Sequence, residues 1–214
     1  MEFFHVINRG VEKRDVFMEE GDYIRFIHDM YVFNDVRSAP NYVVKERQAE
    51  RKRNQLVHIH AFCLMPNHYH LLLSPIEDNG ISAFMQKINM GYAKYFNDKY
   101  DRSGVLWQGV FRKKPIMRDA HFMYIPYYIH LNPLDLAHPE WREGRVKNTR
   151  KALAYLEKYR WSSYLDYVGT PNFPSVMYKL DLQDILGGPR RQCEEINSIL
   201  QSNNLSAVSS DLEM

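Results

Sequence analysis

Two apolar runs on either side of a proline and an asparagine, "LVHIHAFCLM" and "HYHLLLSP", constrain this chain more than any other stretch. Aliphatic runs of strand length around Pro66-Asn67 predict an antiparallel hairpin, because the pair supplies a turn and neither flank has helical spacing. Other elements must be arranged around that hairpin. "FFHVINRG" reads as an earlier strand ending at Gly10. "GDYIRFIHDMYVFN" places Tyr23, Phe26, Ile27, Met30 and Tyr31 at helical spacing, with Asp22 as its cap. After the hairpin, "ISAFMQKINMGYAKYFNDKY" is a second helix, weakened by Gly91, and "GVLWQGVFRKKPIM" is a fourth strand with an internal glycine suited to a bulge.

The order is βαββαβ, which predicts an α+β fold of the split βαβ, ferredoxin-like type: a four-stranded antiparallel sheet with both helices on one face. The other face is expected to stay open for a site. A third helix follows in "DAHFMYIPYYIHLNP", capped by Asp119, kinked at Pro126 and ended by Asn132-Pro133. Residues 1–169 are expected to form the main domain, with about 134–158 lying between the third helix and an aromatic-rich segment, and residues 170–214 a helical C-terminal extension with a disordered end.

Composition excludes several classes. The chain of 214 residues is 45% hydrophobic and 25% charged, and no apolar run approaches the roughly 20 residues of a membrane span. "MEFFHVINRG" lacks the pattern of a secretory signal, so a cytoplasmic location is expected. Two cysteines, Cys63 and Cys193, argue against a disulfide scaffold or a cysteine-liganded zinc site. A net charge of +2 does not by itself point to nucleic acid, but its distribution is informative. Lys45, Arg47, Arg51, Lys52 and Arg53 are interspersed with Glu46 and Glu50, whereas Arg112, Lys113, Lys114 and Arg118 are free of intervening acids before Arg118. The second cluster is the better candidate for phosphate contacts.

The chemistry begins at His68 and His70. Residues two apart in a strand project to the same side, so this pair can chelate one metal ion. As a motif it is weak, since His58 and His60 repeat it and structural histidines are common. The third helix strengthens it: Tyr128 and Asn132 are four apart and share a helical face, so a phenol and an amide oxygen address one point. Two imidazoles and an amide oxygen leave room on a six-coordinate divalent ion, Mg²⁺ or Mn²⁺, for a phosphate oxygen. A tyrosine nucleophile needs a neighbouring cation or base, because its ordinary pKa is near 10. Read on spacing alone, Tyr128 is better explained as a core residue of an aromatic-rich helix.

"HVINRG", "MPNHYHLLL", "WQGVF", "YIHLNP" and "YRWSSY", in that order, resemble the HUH-type single-tyrosine transposases, in the branch of the REP-associated tyrosine transposases. The resemblance runs from about Phe3 to Gly169. It implies that His68, His70 and Asn132 bind the divalent metal and that Tyr128 attacks single-stranded DNA, with hairpin-forming repeats as partner and a monomer or homodimer as the working form. Tyr127 is out of register with the motif, about 100° around the helix from Tyr128. Two departures stand out: Pro126 lies two residues before the tyrosine, and the segment between Asn132-Pro133 and "YRWSSY" is longer than in simpler members. His58 and His60 reach the metal face or the opposite one depending on a single step of hairpin register. Two other functions fit the same residues, a non-catalytic hairpin-binding protein and a metal-dependent hydrolase of small phosphoesters.

Overall fold

The computed structural model describes residues 2–37, 53–117 and 119–201. Four strands, β1 (Phe4–Arg9), β2 (Val57–Met65), β3 (His68–Pro75) and β4 (Arg112–Pro115), form one antiparallel sheet in the order β2-β3-β1-β4. Helices α1 (Glu20–Val32) and α2 (Gly80–Lys99) alternate with them. Beyond β4 come α3 (Asp119–Leu131), α4 (Thr149–Lys158), α5 (Tyr164–Tyr167), α6 (Leu180–Leu186) and α7 (Pro189–Gln201), with 3-10 turns at Asn132–Leu136 and Pro139–Glu143. The molecule is therefore mixed α+β. Among the described residues no helix is long and apolar enough to cross a membrane.

The hairpin closes where the sequence puts it, with Met65 opposite His68 across Pro66-Asn67. The turn is anchored to the segment after β1: Val16 and Phe17 donate backbone N–H groups to the Pro66 carbonyl, and Gly10 donates to that of Asn67. Asp22 is not the cap of α1 but its third residue. Glu19 is the cap, and the Asp22 carboxylate accepts from the Met18 and Glu19 amides while Tyr95, Lys99 and Tyr100 donate to it. Gly91 has a packing reason, since a Cβ there would stand 2.4 Å from the Phe33 ring at the end of α1. β4 is much shorter than the apolar pattern from Gly104 suggests. Trp107 makes only an isolated bridge to Gly10, and Gly109 at φ +119° breaks the extended path.

Both faces of the sheet are covered. Val6, Ile59, Phe62, Tyr69, Leu71 and Leu73 pack against α1 and α2 in one core. Ala61, Cys63, Met65 and Leu72 pack in a second core with Ile125, Tyr128, Ile129 and residues of the C-terminal helices, including Leu156, Leu182 and Ile196. The expectation of an open second face is therefore wrong. The cause is visible in α3, whose Ile125–Leu131 stretch is buried at every position: a helix apolar all round needs a sheet on one side and further helices on the other. Pro126 lies inside this helix and removes one i to i−4 bond. Arg118, Lys45, Arg47, Arg51, Lys52 and the C-terminal end lie outside the described residues.

Candidate active site

β1 and β3 set the positions. Cross-strand partners share a face, so the pairs His5 with Leu72, Ile7 with His70 and Arg9 with His68 put His5, Arg9, His68 and His70 on the second face, toward α3. The His68 and His70 rings lie 4.9 Å apart between centroids. His5 Nε2 and His70 Nδ1 are 2.9 Å apart and share a proton, with the rings stacked at 5.1 Å. α3 brings Tyr128 edge-on to both, 6.0 Å from His5 and 5.8 Å from His70. One turn on, Asn132 Nδ2 donates to the Tyr128 carbonyl at 2.7 Å, which leaves its Oδ1 pointing elsewhere.

That oxygen meets Arg142. Arg142 Nη2 donates to Asn132 Oδ1 at 3.2 Å and to Asp135 Oδ2 at 2.6 Å, and its Nε donates to Asp135 Oδ1 at 2.8 Å. Trp141 Nε1 donates to the same Asp135 Oδ1 at 2.7 Å. The guanidinium carbon stands 5.5 Å from the centre of the Tyr128 ring. Burial works against the charge on Arg142, but Asp135 and Tyr128 more than restore it, holding the guanidinium above its ordinary value. Tyr128 itself is only 1% exposed.

The imidazoles are kept neutral. Burial, with Arg9 adding to it, lowers His68 to about 4. Burial carries His70 well below the usual histidine range, with His68 and His5 contributing. Burial and then Lys114 bring His5 to about 3. His68 Nδ1 lies 2.6 Å from Asn67 Oδ1 and must donate to it, so His68 Nε2 keeps its lone pair. In the tautomer in which His70 Nδ1 donates to His5 Nε2, His70 Nε2 keeps one as well. Among the described residues no three His, Cys, Asp or Glu side chains form a metal-binding group; the groups that could hold an ion here are the two imidazoles and the Asn132 amide. Two neutral imidazoles whose other nitrogens are tied suit a divalent cation, and only at Asn132 is the donor already engaged, by Arg142.

The other candidates divide. Arg112 and Lys114 pair with Ile7 and His5 and lie on the site face, whereas Lys113 pairs with Val6 and reaches the other face, its Nζ 5.0 Å from the Phe4 ring centre. A cavity of about 220 Å³ opens where β1 and the approach to β4 meet, lined by Ile7, Asn8, Arg9, Lys13, Gln108, Val110 and Arg112. Arg53 is taken up by α1, donating to the Tyr31 carbonyl and covering the Tyr31 ring. Tyr127 is buried beside α7, where Gln192 and charged neighbours meet its phenol. His58 and His60 join the second face through a bulge between Ile59 and Ala61, but far from His68: His60 pairs with Ser74 at 2.7 Å and His58 stacks on Tyr178 at 3.7 Å. His130 pairs with Ser163 at 2.8 Å and is structural. The sequence reading missed His5, Asp135, Trp141 and Arg142. The strand period offers a signal for His5 alone, since it aligns with Ile7 and Arg9 on one side of β1.

A model of the IS200-like transposases matches residues 5–132. The chain belongs to that family. Transposases are a DNA-cutting class, and the match runs from His5 to Asn132, so it takes in both histidines of the pair, Tyr128 and the amide. Arg142 and Asp135 lie beyond it. No curated protein matches the chain. One similar solved structure is described as a REP-associated tyrosine transposase bound to a REP hairpin; it is 16% identical, with 83% of this chain and 84% of that one covered at a TM-score of 0.49.

Proposed function

We propose that this IS200-like transposase is a divalent-metal-dependent endonuclease and strand transferase for single-stranded DNA, cutting at hairpin or repeat sequences through a 5′-phosphotyrosine on Tyr128. The observation that carries this reading is the packing of the Tyr128 ring edge-on against His70 and His5, one helical turn from Asn132. The scaffold is read as a ferredoxin-like sheet with the tyrosine helix laid across it. His68, His70 and Asn132 would hold Mg²⁺ or Mn²⁺, and the ion would supply Lewis-acid stabilisation of charge on the non-bridging phosphate oxygens. Arg9, Arg112 and Lys114 line the approach on the same face and bind backbone phosphates. Tyr128 attacks in line, and the 3′ oxygen leaves as a hydroxyl.

A second reading has an observation of its own. Tyr128 is buried, which favours a hairpin-binding protein that does not cut. End-labelled hairpins from repeats flanking the gene, incubated with Mn²⁺, separate the two. Wild-type protein and Tyr127→Phe should nick and form a denaturant-resistant adduct, while Tyr128→Phe should bind and do neither. Binding without nicking by the wild type, or an adduct mapped to another tyrosine, rejects the proposal.

A further inference from the structure

Asp135, Trp141 and Arg142 come from the segment read as an insertion, yet they converge on the reacting end of α3. A surface arginine paired to one carboxylate contributes little. Arg142 differs in three ways. It is held by Asp135 through two parallel bonds on one edge, from Nε and Nη2, and Trp141 holds that carboxylate in turn. It reaches past that carboxylate to Asn132 Oδ1. It also stands against the buried Tyr128, its guanidinium carbon 5.5 Å from the centre of that ring. A guanidinium has five N–H donors in a rigid plane, so one residue can address Asp135, Asn132 and a group beside Tyr128 together.

We propose that Arg142 is a catalytic residue of the tyrosine step, donating to the Tyr128 oxygen as negative charge gathers there and to the phosphate that it attacks, with Asp135 as its positioning residue. The inference rests on the assignment of Tyr128 as nucleophile. In the step the Oη–P bond forms and the P–O3′ bond breaks. The phenol proton passes to solvent, and the 3′ oxygen takes a proton from solvent and departs as a hydroxyl, so no oxidant or second substrate is needed. The arginine neither gains nor loses a proton. It is a fixed positive charge in a site that excludes most water, where such donors act most strongly.

The test is single-turnover adduct formation on a saturating hairpin with Mn²⁺, alongside calorimetric Mn²⁺ affinity, hairpin affinity and thermal unfolding of each variant. Arg142→Gln should slow the adduct on the order of 100-fold, the usual cost of removing one such donor, with both affinities within about twofold of wild type. Asp135→Asn should slow it less. Arg142→Ala should recover part of its rate in millimolar guanidinium chloride, which a merely structural arginine would not permit. Should Arg142→Gln fail to fold, Arg142→Lys keeps the charge and loses the fork, and is expected to fall between. An adduct at the wild-type rate in Arg142→Gln overturns the proposal. So does a faster adduct with tighter Mn²⁺ binding, since the arginine would then be obstructing the metal ligand. Slowing that comes with lost Mn²⁺ binding and no guanidinium rescue overturns it too. If the wild type forms no adduct, the nucleophile assignment has failed and this proposal with it; a wild-type adduct with an unaffected Arg142→Gln rejects the arginine alone.

Discussion

On the α1/α2 side of the sheet, Val6, Phe62, Tyr69 and Leu71 meet Phe26, Phe84 and Tyr92, and the polar tips of the aromatics are settled at the margin, as where Tyr69 donates to Asn89 at 2.8 Å. On the α3 side, the same strands alternate apolar residues with His5, His60, His70 and Ser74, all buried. A polar group in a dry layer is costly unless it is paired. One nitrogen of each ring is accordingly paired, His5 with His70, His60 with Ser74 and His130 with Ser163, while the Nδ1 atoms of His60 and His130 stay buried without a hydrogen-bond partner among the described residues. The strands of the first face are built mainly for cohesion, whereas those of the second carry buried polar groups that cohesion does not require. Among the described residues, only the cluster around His68, His70, Tyr128 and Arg142 joins neutral imidazoles to a charged fork and a phenol.

The largest effect should separate the faces directly. Phe26 is fully buried among Phe17, Tyr69, Tyr92 and Trp107, so Phe26→Ala should cost about 3–5 kcal/mol of stability in urea unfolding. Mn²⁺ affinity and the adduct rate per folded molecule should not change. The double variant His68→Ala with His70→Ala should do the reverse, abolishing Mn²⁺ binding by calorimetry while losing less stability, about 1–3 kcal/mol for a partner left unpaired. Retained Mn²⁺ binding in the double variant would move the metal away from this pair.

Acid should act through the second face. Burial lowers His60 and His130 to about 3, below the 6.5 of an exposed histidine. Between those values the unfolded chain binds protons that the folded chain refuses, so stability is full above about pH 6.5 and falls as pH drops toward 3. The slope approaches about 1.4 kcal/mol per pH unit for each histidine. The denaturation midpoint should therefore fall from pH 7 to pH 5, and less in a His130→Gln variant. An unchanged midpoint would mean that these rings are protonated in the fold.

What the sequence made legible follows from range. The hairpin, the His68 and His70 pair and the Tyr128 to Asn132 spacing depend on periods of two and four residues, which a sequence displays. His5 depends on the register of β1 against β3, a contact across 65 residues. Arg142 depends on 3-10 turns without a period, so nothing local announces its return to α3. The covering of the second face is written in "YIPYYIHL", which is apolar around most of the helix and so needs a partner on more than the one stripe that carries Tyr128 and Asn132.

The basic strand gives the smallest effect and the finest cut between the faces. Grouping Arg112, Lys113 and Lys114 as one phosphate track overlooks the alternation of a strand. Arg112 and Lys114 stand with Ile7 and His5 toward the site, while Lys113 stands with Val6 and leans on Phe4. A phosphate contact releases counterions, so each one lost should reduce the salt slope of hairpin binding by about 0.7–0.9. Arg112→Gln with Lys114→Gln should then weaken binding at low salt and flatten the slope by nearly two such steps, whereas Lys113→Gln should leave both near wild type. A slope that falls equally in Lys113→Gln would mean that the DNA wraps the strand edge and contacts both faces. In that case the division between a cohesive face and a chemical face ends at β4.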